Sequence, residues 1–390
     1  MRKGKKMASK FMIPPSVYLG ENALEEAVPE ICSMGRRACI VTGKSMLAQG
    51  HVQHLIRLLK EGDMDAVVFS GITGEPDDRM IYEGLTFYRE EKCDCLIGFG
   101  GGSPMDAAKA IGAMAVNPGM ISDYNGKVMN IKTPPVIAIP TTAGTGSEAT
   151  KFTVISDTDK GIKMLLKGDV LLPAIAVVDP SFTVETPPQV TAATGLDALT
   201  HAVESYISIK AMPLTDAYAI SAIKRILKWL PEAFQDGGNK KAREEMAAAA
   251  LEAGICINNS SVTLVHGMSR PIGALFHVPH GISNAMLLNK CLGFVKKRYP
   301  EKFARLSYET GIAPLNMEEE AAADAFLIKL EEICKICKVP DLKTYGIDEP
   351  DFFRVIDKMA KDAWDSGSPS NVPGNITVSD IKEIYESLWI

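Results

Sequence analysis

The chain has 390 residues, of which 46% are hydrophobic and 23% are charged, so it can bury large cores and is expected to form about two domains. Its formal net charge of −6 provides no basic field that would favour nucleic acid. The apolar run at residues 11–13 is too short for a signal peptide, and no run approaches the roughly 20 apolar residues of a membrane span. We therefore expect a cytoplasmic protein that binds neither nucleic acid nor membranes.

The first half of the chain alternates short apolar runs with amphipathic stretches. Alternation of strands and helices is typical of a parallel sheet with helices on both faces, so we predict a Rossmann-like α/β domain over residues 1–185. The predicted strands are 38–42, 66–69, 95–99, 136–139 and 174–178, and the predicted helices are 51–60, 81–91 and 104–115.

The second half has long helical patterns and almost no strand patterns. The change follows Thr186, Pro187 and Pro188, so we place the domain boundary near residues 184–188 and predict an all-α domain over residues 186–390. The predicted helices are 192–208, 214–233, 241–258, 321–338, 351–362 and 378–388.

A glycine-rich turn joins the strand at 95–99 to the helix that follows. Glycines let a backbone approach a pyrophosphate closely, and the free N–H groups at a helix start favour anions. The turn is not a G-x-G-x-x-G fingerprint, and a tight turn without a ligand is the alternative. The candidate cofactor-binding residues of this turn are Gly100, Gly101, Gly102, Ser103 and Asp106.

A second loop, rich in hydroxyl groups and small residues, follows the strand at 136–139. Its Thr141, Thr142, Thr145 and Ser147 are suited to hydrogen bonds with ribose, phosphate or an adenine edge. Open α/β sheets bind ligands at the carboxyl ends of their strands, where both loops are expected to lie. Together the two loops predict a nucleotide site.

Four residues of the second half form a candidate metal site. Asp197 and His201 are four residues apart, so on a helix they lie on one face. With His266 and His280 they provide one carboxylate and three imidazoles, which suit zinc or ferrous iron and leave room for a substrate oxygen. Glu204 is either a fifth ligand or, as we expect, a group that orients a ligand.

The cysteines point to no second site. Eight cysteines in a chain of this length do not resemble a disulfide-dense secreted scaffold. Cys93 and Cys95, and likewise Cys334 and Cys337, are close enough in sequence to act as ligand pairs, but no matching Cys/His spacing accompanies them. We expect these thiols to be structural.

These motifs resemble the iron-containing (group III) alcohol dehydrogenases, a branch of the dehydroquinate-synthase-like fold. The resemblance covers nearly the whole chain. The motifs that carry it are GGGSPMDAAK (100–109), TTAGTGSE (141–148), ATGLDALTHAVE (193–204), HGM (266–268) and PHG (279–281).

The resemblance implies metal ligation by the Asp197 carboxylate and the three histidines, with iron in many members and zinc in some. It further implies that the glycine loop holds the pyrophosphate of NAD(H) or NADP(H), with Thr141 and Thr142 near the adenosine and Lys163 near a ribose. The implied reaction is hydride transfer, in the interdomain cleft, to or from a short-chain alcohol, diol or semialdehyde. A homodimer or higher assembly is also implied.

Three residues bear on cofactor and substrate choice. Many relatives carry an aspartate where this chain has Gly43, and an acidic group there repels a 2′-phosphate, so Gly43 predicts that NADP(H) is accepted, unless it is only a turn glycine. Arg270 stands where many relatives have a histidine, and predicts a substrate with an anionic tail or else an ion pair with an acidic side chain. His277 is either a proton relay or a packed core histidine.

Two other functions remain open at this point. One is a metal-dependent lyase of the dehydroquinate-synthase type, which requires a dense basic cluster that residues 190–285 do not offer. The other is a non-enzymatic nucleotide-binding protein, which has no need of an open metal site. Turnover of the cofactor distinguishes the dehydrogenase from both.

Overall fold

The computed structural model describes residues 8–389, so residues 1–7 and 390 of the two predicted domains lie outside it. A six-stranded parallel sheet forms the N-terminal part, in the strand order β1-β8-β5-β4-β2-β3, and β6 and β7 form a separate antiparallel hairpin. The strands are Ser16–Leu19 (β1), Arg37–Val41 (β2), Asp65–Phe69 (β3), Cys95–Gly100 (β4), Val136–Pro140 (β5), Phe152–Asp157 (β6), Ile162–Lys167 (β7) and Ile175–Val178 (β8).

Helices pack on both faces of this sheet. One apolar core includes Leu24, Leu55 and Phe99, and a second includes Leu85 and Ile111. Because both faces are covered, the central strands are buried throughout, which explains their unbroken apolar sequences. The helices of this part are Ala23–Ser33 (α1), Lys44–Ala48 (α2), His51–Glu61 (α3), Asp78–Glu90 (α4) and Gly102–Val116 (α5).

The C-terminal part is helical, and residues 186–389 contain no strand. Its helices share one large apolar core. No helix within residues 8–389 is both long enough and apolar enough to cross a membrane. The helices are Pro188–Ile207 (α6), Pro213–Gln235 (α7), Lys240–Ser260 (α8), Leu264–Phe276 (α9), His280–Lys296 (α10), Pro300–Thr310 (α11), Glu319–Ile336 (α12), Leu342–Tyr345 (α13), Glu349–Asp365 (α14) and Val378–Glu386 (α15).

This architecture confirms the predicted fold class, and the five predicted strands are all present. The predicted start of α6 at residue 192 is wrong, since the helix begins at Pro188, where the missing N–H of proline is harmless in the first turn. The sequence analysis also missed β1, α1, the β6–β7 hairpin and the helices α9 to α11. Strand β1 is a four-residue edge strand with no buried residue, so its apolar pattern is weak.

The carboxyl ends of the central strands face the helical part. Strand β3 pairs with one side of β2, and β4 pairs with the other side. The direction in which successive strands are added to the sheet therefore reverses between β2 and β4. The glycine turn leaves β4 and the second loop leaves β5 at this same edge. Open α/β sheets bind ligands at such a reversal point.

Close backbone contact joins the second loop to the helical part. Gly146 has φ +63°, and a Cβ on it would lie 2.4 Å from the Cα of Gly254 in α8. On the other side of the cleft, a Cβ on Gly281 would lie 2.2 Å from the carbonyl oxygen of Ala193. Glycines at these positions therefore let the loop and α10 approach α8 and α6 more closely than any other residue would.

Candidate metal centre and cofactor loops

Three helices bring the four predicted metal ligands together. Helix α6 carries Asp197 and His201, α9 carries His266 in its first turn, and α10 begins at His280. The first three residues are at most 5% exposed, whereas the side chain of His280 is 39% exposed. The cluster is therefore buried on the helical side and open at His280.

The spacing of the donor atoms fits a four-coordinate metal. The Asp197 Oδ1 atom lies 3.3 Å from His266 Nε2 and 3.7 Å from the Nε2 atoms of both His201 and His280. Ligands at about 2.1 Å around a tetrahedral ion stand about 3.4 Å apart. The donor set and these three distances from Asp197 fit Zn²⁺ or Fe²⁺, and among residues 8–389 the ligand atoms of Asp197, His201 and His266 all lie within 4.8 Å of one another.

Glu204 orients one of these imidazoles. Its Oε2 lies 2.6 Å from His266 Nδ1, and its Oε1 accepts hydrogen bonds from the Thr263 hydroxyl and the Val265 N–H. A carboxylate on Nδ1 favours the tautomer with its proton there and leaves Nε2 free to face the cluster. The expected orienting role of Glu204 matches this geometry.

The charges of the cluster depend strongly on one another. Burial lowers the pKa of His201 to about 4, although Asp197 acts in the opposite direction. Burial would also lower the pKa of His266, but the carboxylates of Glu204 and Asp197 outweigh it and raise the pKa to about 9. Burial would raise the pKa of Asp197, but the imidazoles, above all His201, hold it well below its usual range. The carboxylate is therefore ionised, as a metal ligand must be.

Asn284 is a member of the cluster that the sequence analysis missed. Its Nδ2 donates to Asp197 Oδ1 over 2.8 Å, and it lies 3.3 Å from His280 Nε2. Its position four residues after His280 on α10 places both side chains on one helix face, which is the signal that could have found it.

The glycine turn and the second loop lie against each other. A Cβ on Gly102 would be 2.9 Å from the Cγ2 of Thr145, and one on Gly101 would be 3.7 Å from the Oγ1 of Thr142. That Thr142 hydroxyl is buried and has no hydrogen-bond partner among residues 8–389. Buried polar atoms are rarely left unpaired, so an unpaired hydroxyl beside a glycine turn indicates a ligand contact.

Two other predicted cofactor residues bond to the protein itself. The carboxylate of Asp106 accepts hydrogen bonds from the Ser147 hydroxyl and from the N–H of Val154. Ser147 also accepts a hydrogen bond from the buried ammonium of Lys109, a residue the sequence analysis quoted only as part of a motif. These hydrogen bonds hold the glycine turn and the second loop in place.

Gly43 and Lys163 occupy the margins of the cleft. Gly43 directly precedes α2 at the carboxyl edge of β2, and the next two residues, Lys44 and Ser45, are exposed. A Cβ on Gly43 would lie 3.1 Å from the carbonyl oxygen of Ile72, so the backbone there is closely packed. Lys163 Nζ lies 2.9 Å from Glu75 Oε1. The pKa of His280 is lowered mainly by burial, and the charge of Lys163 adds to this shift.

Arg270 lies one helical turn beyond His266 on α9, on the same face. Its Nη1 donates to the Ser368 hydroxyl over 3.0 Å, and within residues 8–389 it forms no ion pair. The predicted alternative of an ion pair is therefore wrong. Burial lowers the pKa of its guanidinium, while Glu204 opposes the shift.

His277 follows α9 in a left-handed conformation, with φ 54°. Its residue is exposed, and its carbonyl oxygen accepts a hydrogen bond from the Tyr345 hydroxyl over 3.4 Å. The alternative of a packed core histidine is therefore wrong.

Burial makes one of the two cysteine pairs a poor metal-ligand pair. Burial raises the pKa of the Cys334 and Cys337 thiols to about 12, so they are poor thiolate donors near neutral pH. Within residues 8–389, the only group of three or more potential ligands within 4.8 Å of one another is Asp197, His201 and His266.

Comparison with known proteins identifies the family. Residues 14–180 match the family model for iron-containing alcohol dehydrogenases, and residues 191–389 match the model for the C-terminal part of the Fe-containing alcohol dehydrogenase family. The chain is 36% identical to an NAD-dependent methanol dehydrogenase of Bacillus methanolicus, over 97% of this chain and 99% of that one.

Solved structures agree with this result. A 1,3-propanediol oxidoreductase superposes with a TM-score of 0.93 at 33% identity, covering 98% of this chain and 100% of that one. A sulfoacetaldehyde reductase of Bifidobacterium kashiwanohense, solved with NAD⁺, gives a TM-score of 0.85 at 27% identity, covering 98% and 99% of the two chains. These relatives support the predicted dehydrogenase and neither of the two alternatives. The chain belongs to the iron-containing alcohol dehydrogenase family and is an oxidoreductase with a dehydroquinate-synthase-like fold.

Proposed function

We propose that the chain catalyses reversible hydride transfer between a short-chain alcohol, diol or semialdehyde and NAD(P), with Fe²⁺ or Zn²⁺ held by Asp197, His201, His266 and His280. The observation that carries this proposal is the spacing of 3.3 to 3.7 Å between Asp197 Oδ1 and the three Nε2 atoms, at the open side of a buried cluster. When bound, the metal supplies Lewis acidity to a substrate oxygen and the nicotinamide supplies or accepts the hydride.

The chain contributes to this reaction by orienting the metal ligands and by excluding water from one side of the metal centre. Three nearly buried ligands keep water from the inner side of the centre, while the half-exposed His280 leaves the outer side accessible to a substrate. Glu204 and Asn284 fix the orientations of His266 and Asp197, so the site is held ready before substrate arrives.

For the cofactor we propose that Gly100, Gly101, Gly102 and Ser103 receive the pyrophosphate at the start of α5. Thr141, Thr142 and Thr145 contribute hydroxyl and backbone contacts, as the unpaired Thr142 hydroxyl supports. Asp106 and Ser147, which bond to each other, act by holding the loop in place. Lys163 contributes a positive charge at the rim of the cleft, near a cofactor ribose.

We further propose that NADP(H) is accepted beside NAD(H). Gly43 places no acidic group at the carboxyl end of β2, and the exposed Lys44 and Ser45 can reach a 2′-phosphate. The names of the relatives mention only NAD, so this is a point on which the chain can differ from them. Binding of NADPH more than about tenfold weaker than NADH would contradict it.

Arg270 supports a substrate with an anionic tail. Its guanidinium has five donors, of which one is bonded to Ser368, and in the part of the chain described no carboxylate lies within ion-pair distance of it. It lies one turn from His266, so a carboxylate or sulfonate bound to it would place a nearby carbonyl toward the metal centre. One neighbour of similar structure is named as a sulfoacetaldehyde reductase, which is consistent with such chemistry.

The Arg270→Met variant tests this substrate class. We expect kcat/KM for an aldehyde with an ω-carboxylate or sulfonate to fall by about 10-fold to 100-fold, as for the loss of a charged hydrogen bond. A neutral aldehyde of the same length serves as the control and should lose less than about threefold. An unchanged ratio between the two substrates would contradict the proposal.

We propose that His277 relays the proton of the substrate oxygen to solvent, since it is exposed and precedes His280 by three residues. A His277→Gln variant, whose side chain cannot take up a proton, should flatten the pH dependence of kcat. A pH profile identical to that of the unmodified chain would exclude this role.

The primary experiment measures turnover directly. The protein is stripped of metal, refilled with Fe²⁺ or Zn²⁺, and mixed with NADH or NADPH and a panel of neutral and anionic short aldehydes. We expect metal-dependent loss of absorbance of the reduced cofactor. No turnover with any combination would contradict the proposed function. The cytoplasmic location and the assembly as a homodimer or higher oligomer stay predictions.

A further inference from the structure

Lys109, on the second turn of α5, is a fully buried lysine that the proposed chemistry does not use. Its ammonium donates to the Ser147 hydroxyl over 2.8 Å, to the Thr150 hydroxyl over 3.0 Å and to the carbonyl oxygen of Phe152 over 3.2 Å. It also donates to the main-chain carbonyl of Ser147. A single side chain thus ties α5 to the end of the second loop and to the start of β6.

Burial disfavours the charge of this ammonium, and its neighbours favour it. Burial lowers the pKa of Lys109 to about 8, and the carboxylates of Asp106 and Glu148 oppose a larger shift. The Asp106 Oδ1 atom lies 3.9 Å from the ammonium, and Glu148 is 2% exposed. A buried charge is tolerated only where its hydrogen-bonding protons have partners, so these contacts hold the surrounding chain in one arrangement.

The contacts of Lys109 lie directly behind the two cofactor loops. Helix α5 begins at Gly102, at the end of the glycine turn, and Ser147 ends the run of threonines and small residues that starts at Thr141. The loops meet where a Cβ on Gly102 would lie 2.9 Å from Thr145. A shift of Ser147 relative to α5 would therefore change the width of the groove between the loops.

We propose that Lys109 is a positioning residue for the nicotinamide cofactor, which sets the spacing between the glycine turn and the second loop through Ser147 and Thr150. The inference rests on the proposed function, since it requires that these loops hold the cofactor. Because Lys109 is fully buried behind the loops, it acts through them and does not itself bind the cofactor.

Lys109→Met tests the proposal, because it keeps most of the length of the side chain and removes its charge. We expect the Kd for NADH and NADPH, measured by fluorescence titration, and the KM for the cofactor to rise by about tenfold or more. The KM for the aldehyde should stay within about twofold. Thr150→Val, which removes one acceptor, should raise the cofactor Kd by about threefold.

The matched control is Lys296→Met. Lys296 is 7% exposed and pairs with Glu320 and Asp324 in the helical part, so its loss should lower the Tm and leave the cofactor Kd unchanged. A folded Lys109→Met variant that binds the cofactor like the unmodified chain overturns the inference, as does an equal rise in both KM values. If Lys109→Met does not fold, an unchanged cofactor Kd in Thr150→Val overturns it. Failure of the unmodified chain to bind either cofactor overturns the proposed function as well.

Discussion

The metal centre and the cofactor loops use their polar side chains in opposite ways. At the centre, Asp197, His201 and His266 form a close group, the Nε2 of His280 lies 3.7 Å from Asp197 Oδ1, and Glu204 holds His266 from outside. In the loops, several polar side chains that the motifs contain bond to each other and face away from the groove. A motif residue at the metal centre is thus a candidate ligand, whereas a motif residue in the cofactor loops often stabilises the loop conformation instead.

The hydrogen-bond partners of each side chain distinguish loop residues that can contact the cofactor from those that stabilise the loops. The hydroxyl of Thr142 is buried and unpaired, while the side chains of Asp106 and Ser147 are bonded to each other. Because an unpaired buried hydroxyl destabilises the fold, the Thr142 hydroxyl is a candidate for completion by a ligand. This difference gives Thr142 and Asp106 different expected responses to substitution, although both lie in the loop motifs.

The largest effect is expected at the metal centre. His201→Ala removes one of four donors, so we expect bound metal to fall far below one equivalent and turnover to fall to background. His54→Ala is the control, because that histidine is half-exposed, lies in α3 and pairs with Glu25 and Arg57. Elemental analysis of both proteins after purification is the measurement. Full metal content in His201→Ala would remove His201 from the ligand set.

An intermediate effect is expected behind the centre. Glu204→Gln keeps the shape of the side chain but removes the charge that orients His266. We expect metal affinity, measured by competition with a chelator, to drop by about 10-fold to 100-fold. An affinity within about twofold of the unmodified chain, in a protein that still folds, would show that Glu204 is not an orienting group.

The smallest effect is expected in the loops. Thr142→Val removes the unpaired hydroxyl, so the free energy of unfolding should stay constant or rise, while the Kd for the reduced cofactor should rise by about threefold to tenfold. Thr86→Val is the control, since Thr86 is exposed on α4 and its hydroxyl bonds to its own helix. A loss of stability without any change in cofactor Kd would show that Thr142 stabilises the loop and does not contact the cofactor.

Much of this architecture could be predicted from local patterns. Strands β2 to β5 and β8 have short apolar runs, and the helices of the second half have clear apolar periods, so both halves of the fold follow from the sequence. The candidate metal ligands were predicted for a related reason. Asp197 and His201 share a helix face, and histidines are scarce enough in this chain to be informative.

What the sequence could not provide depends on pairing between distant segments. Strand β1 is defined by its register with β8, more than 150 residues later, and not by an apolar pattern of its own. The role of Lys109 depends on acceptors 38 to 43 residues away, and the lack of an ion partner for Arg270 is a property of the packed protein. Without these hydrogen bonds, the motif residues that can contact the cofactor could not be distinguished from those that stabilise the loops.

Anomalous diffraction from crystals of the purified protein, refilled with one equivalent of Fe²⁺ or Zn²⁺ and recorded at the absorption edge of that metal, tests the central claim most directly. We expect one dominant peak about 2.0 to 2.2 Å from Asp197 Oδ1 and from the Nε2 atoms of His201, His266 and His280. A dominant peak elsewhere, or a peak that lacks one of these four ligands, would contradict the account of the metal centre.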